Sequence, residues 1–310
     1  MPLQYDEIGQ RLRAFRLGSG LGADEVADRL GISRTALYRF EKGELAKIET
    51  LERLSELLKV SLPTLLGVGV EYISSAVAYF ERVRQLEESA EHIVVLSGPI
   101  SFLLGSDNFE MTLEQVLRES IPDDLTNRNK ALADVERIME ILHERKRTYR
   151  VLRTPIVNLI SAMQIQPFLN NGLVGRLDLT ERQKSMRREI AQAEIEHFAA
   201  VIEEESIGVQ IGLVTDSLPH TGFQIFRRRA GDTLVISPFR LGEQPNIRVG
   251  VAMLTSAPEA LATHDHVLKE AWRTAIKGQA AADYLRKLLA ESRNASRKPA
   301  WERAVNDARG

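Results

Sequence analysis

Hydrogen-bonding side chains cluster at the start of one short helical pattern near the N-terminus of the chain. Two arginines, two aliphatic hydroxyl residues and one aromatic hydroxyl lie close together there: Ser33, Arg34, Thr35, Tyr38 and Arg39. An arginine guanidinium can donate two parallel hydrogen bonds to the edge of a guanine, and hydroxyl groups can pair with bases or phosphates. Spaced over successive helical turns, this set predicts contacts with base edges in a DNA major groove.

The residues around this set predict two short helices joined by a tight turn. Gly31 suits the turn, and Ser33 is a residue type that caps helix N-termini. Ala27 is small enough to let the two helices approach closely, and Leu37 would bury the second helix against the first. Residues 20–43 therefore predict a helix-turn-helix in which the second helix carries the base-contacting side chains.

Apolar residues at helical spacing continue on both sides of that unit. Ile8, Leu12 and Phe15 share one face of a preceding helix, and leucines over residues 51–66 line two more. Glycines punctuate these patterns where turns or C-caps belong. Residues 1–67 therefore predict a compact all-α domain of five short helices.

Four motifs characterise this region. They are Ile8-Gly9 through Arg16, Gly31-Ile32-Ser33-Arg34, Phe40-Glu41-Lys42-Gly43 and Leu51…Leu54…Leu57-Leu58-Lys59-Val60. With these motifs, residues 1–67 resemble the Xre/phage-repressor family of helix-turn-helix DNA-binding domains. The resemblance covers about a fifth of the chain. No family is recognised in the larger C-terminal part of the chain.

The resemblance implies roles for particular side chains. The implied DNA-binding residues are Ser33, Arg34, Thr35, Tyr38, Arg39 and Lys42. The arginines and the threonine would face bases with the tyrosine beside them, and the serine and lysine would contact phosphates. Arg16 and Glu41 match a buried structural ion pair. The chain departs from the family at Gly22 and Ala23, where a polar cap and a phosphate-binding glutamine are usual, so the resemblance implies no side-chain phosphate contact there.

Charge balance bears on how tightly such a domain could bind DNA. The whole chain has 41 Lys and Arg against 43 Asp and Glu, a net charge of −2. Residues 1–67 hold ten residues of each sign. Because non-specific DNA affinity comes mainly from phosphate neutralisation, one neutral copy would bind weakly. We therefore expect a homodimer that reads two half-sites of a double-stranded operator arranged as an inverted repeat.

Residues 68–91 predict a linker and dimerisation helix. Ile73, Val77 and Phe80 begin an apolar stripe at near-heptad spacing, and residues 70–92 contain no glycine or proline. Two interpretations of the stripe stay open. The helix either packs only on its own domain or also pairs two subunits.

Residues 92–290 predict a mixed α/β (α+β) domain for effector sensing or assembly, with its topology left open. Runs rich in Val, Ile and Phe alternate with helical patterns, and Ala230-Gly231-Asp232 predicts a hairpin. Arg240 and Arg248 could clamp the carboxylate or phosphate of a small-molecule effector. Surface or salt-bridged arginines are the alternative. Residues 291–310 predict a polar C-terminal tail.

The chemistry of many enzymes and metal proteins has no counterpart in the sequence. The absence of cysteine excludes disulfides, thiolate metal sites and Cys nucleophiles. The chain also lacks H-E-x-x-H, Gly-x-Ser-x-Gly and a Gly-rich phosphate loop ending in Lys-Ser/Thr. We therefore expect no enzyme, no cofactor and no metal site. Because no stretch approaches the roughly 20 apolar residues that span a bilayer, we expect a cytoplasmic protein that does not bind membranes.

Taken together, these features favour a one-component transcriptional regulator controlled by a ligand or partner at the larger domain. Repression is favoured over activation, because occupying DNA requires no further contacts. Two alternatives remain open. One is an enzyme fused to an autoregulatory helix-turn-helix, and the other is an antitoxin-like DNA-binding protein whose large domain binds a protein partner.

Overall fold

The computed structural model describes residues 5–44, 46–216 and 222–297. Within these residues the N-terminal region contains five helices, as the sequence predicts: α1 (Tyr5–Ser19), α2 (Ala23–Leu30), α3 (Arg34–Glu41), α4 (Ile48–Leu58) and α5 (Leu62–Leu66). Their apolar faces meet around Leu12, Leu37 and Leu54, which are almost completely buried. Burial of these faces stabilises helices that are too short to persist in water alone.

The rest of the chain is built on a mixed sheet. Its strands within the described residues are β1 (Val70–Ile73), β2 (Ala90–Leu96), β3 (Ile156–Ser161), β4 (Val209–Val214), β5 (Phe223–Arg228), β6 (Thr233–Ile236), β7 (Ala252–Thr255) and β8 (Ile276–Lys277). They lie in the order β1-β7-β6-β5-β2-β3-β4-β8. Strands β2, β3 and β4 run parallel, and the other neighbouring pairs are antiparallel. The predicted mixed α/β class is confirmed, as is the hairpin between β5 and β6.

Helices cover the sheet on both faces. They are α6 (Ala76–Glu88), α7 (Asp107–Glu119), α8 (Arg128–Leu152), α9 (Ala162–Asn171), α10 (Glu181–Glu204), α11 (Pro258–Thr274) and α12 (Gln279–Arg297). Helices α7 and α8 connect β2 to β3, and α9 and α10 connect β3 to β4, which allows these strands to run parallel. Phe226 belongs to the main core and Ile225 to a smaller core under α11, so the two cores lie on opposite faces. Over the described ranges, none of the helices has the length and apolar character needed to cross a membrane.

The predicted helix over residues 68–91 is wrong in its extent. Val70–Ile73 form the edge strand β1, and the helix runs only from Ala76 to Glu88. Residues 76–87 of α6, all within the described part of the chain, are buried, so this helix has no free face for pairing two subunits. Its apolar stripe is the stripe of a core helix. Its buried charged residues pair both within α6, as Arg84 does with Glu81, and with neighbouring elements, as Arg82 does with Glu71 in β1.

The predicted polar tail over residues 291–310 begins too early. Helix α12 continues to Arg297, and Leu285 and Leu289 anchor it in the main core. An amphipathic helix can carry a polar stretch beyond its last apolar contact, so composition alone misplaced this boundary. Residues 298–310 lie outside the described residues.

Buried charges join α1 to the larger domain. Arg11 on α1 donates to Glu71 in β1 at 2.5 Å, and Glu71 also accepts from Arg82 on α6 at 3.0 and 3.1 Å. Burial alone would raise the pKa of Glu71, but Arg82 and Arg11 lower it, so the carboxylate stays charged. Gln85 on α6 donates to the backbone oxygen of Gln10 at 3.1 Å. The N-terminal helices are therefore packed directly onto the larger domain.

Candidate nucleic-acid interface

Local sequence signals determine where α3 begins. Gly31 ends α2 in the left-handed conformation, with a φ of 65° that residues with a Cβ rarely adopt. The Ile32 amide donates to the carbonyl oxygen of Ala27 at 3.0 Å and closes the turn. Ser33 then accepts a hydrogen bond from the Ala36 amide at 3.1 Å, which caps α3. These bonds set the position of α3 relative to α2.

The other end of α3 is held by α1. Arg16 donates to Glu41 from Nε to Oε1 at 2.5 Å and from Nη2 to Oε2 at 3.0 Å, and both side chains are buried. This is the ion pair that the family resemblance implies. Gly9 lies beside it, and a Cβ on Gly9 would come 2.5 Å from the carbonyl oxygen of Phe40. Glycine is therefore required for α1 to approach the end of α3 so closely.

The six predicted DNA-binding side chains share one exposed surface, which we call the α3 face. Its members, all exposed, are Ser33, Arg34, Thr35, Tyr38, Arg39 and Lys42. Leu37 and Glu41 between them are buried, so the same helix presents a packed side to α1 and a polar side outward. A helix with this distribution of side chains can enter a major groove about 12 Å wide.

Arg34 is oriented by two neighbours on the α3 face. Its guanidinium donates to the Tyr38 hydroxyl at 3.0 and 3.2 Å and to Asp24 at 3.2 Å. The guanidinium carbon also lies 5.3 Å from the centre of the Tyr38 ring, within the range of a cation–π contact. The hydrogen bond with Tyr38, together with the charge of Asp24, raises the pKa of Arg34. Arg34 is therefore charged and partly preordered for a ligand with acceptor atoms.

Arg39 is paired with the carboxylate of a nearby residue. Its Nε donates to Glu44 at 2.6 Å, and this hydrogen bond lowers the pKa of Glu44. Lys42 makes no side-chain hydrogen bond or ion pair with the described residues. Lys42 is therefore free to contact a phosphate, whereas Arg39 must exchange Glu44 for DNA.

Asp24 and Glu44 are the interface residues that sequence reasoning missed. Both are exposed, and water and salt screen exposed ion pairs, so DNA can displace both carboxylates. In the absence of DNA, these carboxylates neutralise Arg34 and Arg39, the two arginines predicted to contact bases. The equal numbers of acidic and basic residues in this region were a hint of such pairing, but the partners are not at the i, i+4 spacing that would identify them.

Residues 7–66 match the family model of a helix-turn-helix domain. The match spans α1 to α5 and includes every residue of the α3 face, which is consistent with the resemblance to Xre-type domains. We refer to these residues as the helix-turn-helix domain. A comparison with curated proteins found no match.

Outside the helix-turn-helix domain, one of the two arginines of the predicted ligand clamp lines a cavity. Arg240 lines a cavity of about 110 Å³ at the carboxyl end of β2, together with Ser97 and Gly98. Its Nε donates to the backbone oxygen of Gln244 at 2.8 Å, so its own loop holds it. Arg248 is exposed and does not line this cavity among the described residues. The two arginines therefore do not line this cavity together.

The interior of that cavity is already neutralised. Arg145 donates to Glu87 at 2.7 and 2.8 Å, and both side chains are buried. Burial acts to lower the pKa of Arg145, but Glu87 outweighs it and the pKa is raised. Small-molecule sites usually have volumes of about 300–1,000 Å³. This cavity is too small for most effectors, and the two buried charges among its described lining residues, Arg145 and Glu87, are paired with each other.

The described residues contain no cluster of three or more His, Asp or Glu side chains that could hold a metal ion. His264, the first of two histidines separated by one residue, instead bonds the backbone oxygen of Ala260 at 2.8 Å. Its ring also contacts Phe223 edge-on, with ring centres 4.7 Å apart. This histidine therefore packs against the smaller core.

Proposed function

We propose that the chain is a sequence-specific transcriptional regulator whose helix-turn-helix domain reads an operator through the α3 face. The proposal rests on the exposure of the six polar side chains of that face. Arg16, Glu41 and Gly9 support it, because they fix the buried side of α3 against α1. Arg34 and Arg39 would donate to base edges, and Lys42 would contact a phosphate. A well-placed bidentate contact contributes about 1–3 kcal/mol of discrimination against the wrong base.

A homodimer on an inverted repeat best accounts for the charge of the domain. A neutral helix-turn-helix domain gains little from phosphate neutralisation, so one copy on one half-site would bind weakly. Two copies joined through their larger domains would add their contacts. Because the helix-turn-helix domain is packed onto the larger domain, the dimer contact would set the half-site spacing without a flexible linker. Buried α6 cannot supply that contact.

The proposed action is binding, not catalysis. A dimer on its operator would repress by occupying the DNA. A ligand or partner that binds one arrangement of the two domains better than another would shift the fraction of molecules able to bind. The continuous core between α1 and the larger domain supports this coupling, because a change at the domain contact alters the position of α3.

The decisive experiment is selection of genomic fragments by full-length protein at physiological salt, followed by footprinting. The test variant is Arg34→Ala/Arg39→Ala, since both side chains are exposed and their loss leaves the core intact. The matched control is Arg147→Ala/Arg273→Ala, which removes two exposed arginines from salt bridges with residues three positions away on α8 and α11. Circular dichroism checks that all three proteins are folded.

An enriched inverted repeat that the control protects and the test variant does not would support the proposal. Enrichment that is equal in the test variant would contradict the role of the α3 face. If the wild-type protein enriches no DNA, with or without the carboxylates tested below, the proposed function is wrong.

A further inference from the structure

A cleft of about 650 Å³ lies where the helix-turn-helix domain meets the larger domain, and we call it the junction cleft. Helices α1, α2, α4 and α5 line one side, and β1, α6 and α8 line the other. Ser75 at the start of α6 donates to the backbone oxygen of Gly18 at 3.2 Å at its edge. Its volume lies within the range of small-molecule sites, unlike that of the smaller cavity beside Arg240.

The junction cleft combines an apolar floor with a basic rim. Its buried apolar residues are Phe15, Leu58, Ile73 and Ala78. Arg29, Lys59 and Lys130 are its charged lining residues, and none of its described lining residues is Asp or Glu. Arg29 is paired with Glu25, whereas Lys59 and Lys130 form no ion pair with the described residues.

Serine and threonine side chains also line the junction cleft. Ser19, Ser61 and Thr64 come from the helix-turn-helix domain, and Ser74 and Ser75 from the larger domain. The hydroxyls of Ser19, Ser61 and Ser75 already donate within the chain, to Arg16 O, Thr64 Oγ1 and Gly18 O. The Thr64 and Ser74 hydroxyls donate to no described residue, so these two can donate to an anionic group that the lysines attract. Each domain therefore supplies hydroxyl groups and one lysine to the cleft. Lys59 belongs to the helix-turn-helix domain and Lys130 to the larger domain.

We propose that the junction cleft binds a small carboxylate with an apolar body. The apolar body would lie on the floor, where it is removed from water, and the carboxylate would lie among Lys59, Lys130 and the hydroxyls. An uncharged ligand of the same shape would offer neither ammonium group a countercharge. Lys130 would keep its attraction to Asp134, whose pKa its charge acts to lower. A cationic ligand would be repelled.

The effect on DNA rests on the proposed function. A ligand in this cleft touches both domains, so it favours the domain arrangement that fits it best. Its occupancy would change operator affinity, and operator DNA would change ligand affinity by the same factor. The junction cleft is therefore the effector site of the proposed regulator.

Isothermal titration calorimetry on the full-length protein tests the site without DNA. The probes are octanoate and 1-naphthoate, with octan-1-ol as the uncharged counterpart of octanoate. We expect saturable binding of at least one carboxylate at one site per chain, and binding of octan-1-ol weaker by about tenfold, since one lost charged contact is worth roughly that factor. Failure of both carboxylates to bind would overturn the proposal.

Two variants locate the binding. Lys59→Gln/Lys130→Gln should weaken carboxylate binding by about tenfold or more. Its matched control, Lys269→Gln/Lys287→Gln, removes two exposed lysines from α11 and α12 and should bind as the wild type does. Ser74→Trp, at an exposed lining position, should block the cleft while the thermal unfolding transition stays cooperative. Equal binding in the double lysine variant and in Ser74→Trp would place the ligand elsewhere and overturn the proposal.

The regulatory part is measured separately by titrating operator DNA with and without saturating carboxylate. A change of about tenfold in operator affinity, absent in the double lysine variant, is expected for typical allosteric coupling. Carboxylate binding at the cleft with unchanged operator affinity would overturn the regulatory role. Absence of any DNA binding would overturn the proposed function, and the calorimetric result would still decide whether the site exists.

Discussion

Arg228 in β5 donates a hydrogen bond of 2.8 Å to Glu7 on α1, across 221 positions of sequence. The Arg228 side chain is buried, although it belongs to a run of three arginines before a turn. Burial acts to raise the pKa of Glu7, but Arg228 and Arg11 outweigh it and lower the pKa. The pair ties the helix that supports α3 to the centre of the sheet, so a change in the position of the larger domain is passed to α1 at this contact.

Arg39→Ala should reduce operator discrimination while leaving the fold intact. The side chain is exposed and, among the described residues, its ionic partner is the exposed Glu44, so its removal opens no cavity. We expect a loss of about 1–3 kcal/mol in binding to the selected operator and a smaller change on unrelated DNA. Competition binding against mutated operators measures this, and unchanged selectivity would exclude a base contact by Arg39.

Removing the carboxylates beside the α3 face should strengthen DNA binding. In Asp24→Asn/Glu44→Gln, both arginines lose their competing partners, so we expect affinity for non-specific DNA to rise by about tenfold at low salt. The control Glu52→Gln/Glu56→Gln makes the same charge change on exposed positions of α4. Fluorescence anisotropy over a range of salt concentrations compares the two. Equal gains would mean that net charge, and not local competition, limits binding.

Gly9→Ala should destabilise the contact between α1 and α3. The added Cβ would come 2.5 Å from the Phe40 carbonyl oxygen, and backbone must move to accommodate it. We expect a loss of about 1–3 kcal/mol in the free energy of unfolding. Gly22→Ala is the matched control, because nothing lies within 4 Å of a Cβ there and the φ of −67° suits alanine. Since Gly22 is the N-cap of α2, this variant should lose only the preference for glycine over alanine at that position. Urea denaturation of both variants decides whether close approach is the reason for glycine at position 9.

The buried cluster around Glu71 should make the domain contact sensitive to acid. Its pKa is lower in the folded chain than the ordinary value of 4.5, so the unfolded chain binds the proton more readily. The stabilisation from this carboxylate is therefore complete above pH 4.5 and is lost as pH falls through the lowered folded-state pKa. The unfolding free energy, measured from pH 7 downward, should therefore decrease once the pH is below 4.5.

Glu71→Gln tests the origin of this acid sensitivity. The variant leaves Arg82 buried without its carboxylate and Arg11 with Glu7 alone, so we expect a loss of about 3–5 kcal/mol at neutral pH. Its unfolding free energy should then depend less on pH than that of the wild type. Glu52→Gln, at an exposed site on α4, should leave the wild-type pH dependence in place. An unchanged acid slope in Glu71→Gln would assign the effect to other groups.

The helix-turn-helix could be predicted from the sequence because its signals are local. Gly31, Ser33 and Ala27 each act on neighbours a few positions away, and Leu37 follows the 3.6-residue period of a helix. Exposure of the α3 face follows from the same period once Leu37 is placed inside. The position of Arg16 opposite Glu41 came instead from the family resemblance.

Other features depend on contacts that no local pattern encodes. A core helix and a dimerising helix share the same apolar period, so only the partners of α6 decided that it is buried. Arg228 met Glu7, and Lys130 came to the junction cleft, through packing of distant segments. Thus the sequence by itself determined the recognition helix and its outward side chains, through propensities and caps that act within a turn. The tertiary structure alone decided how that helix is coupled to the larger domain, because buried charges can pair only after the chain has brought them together.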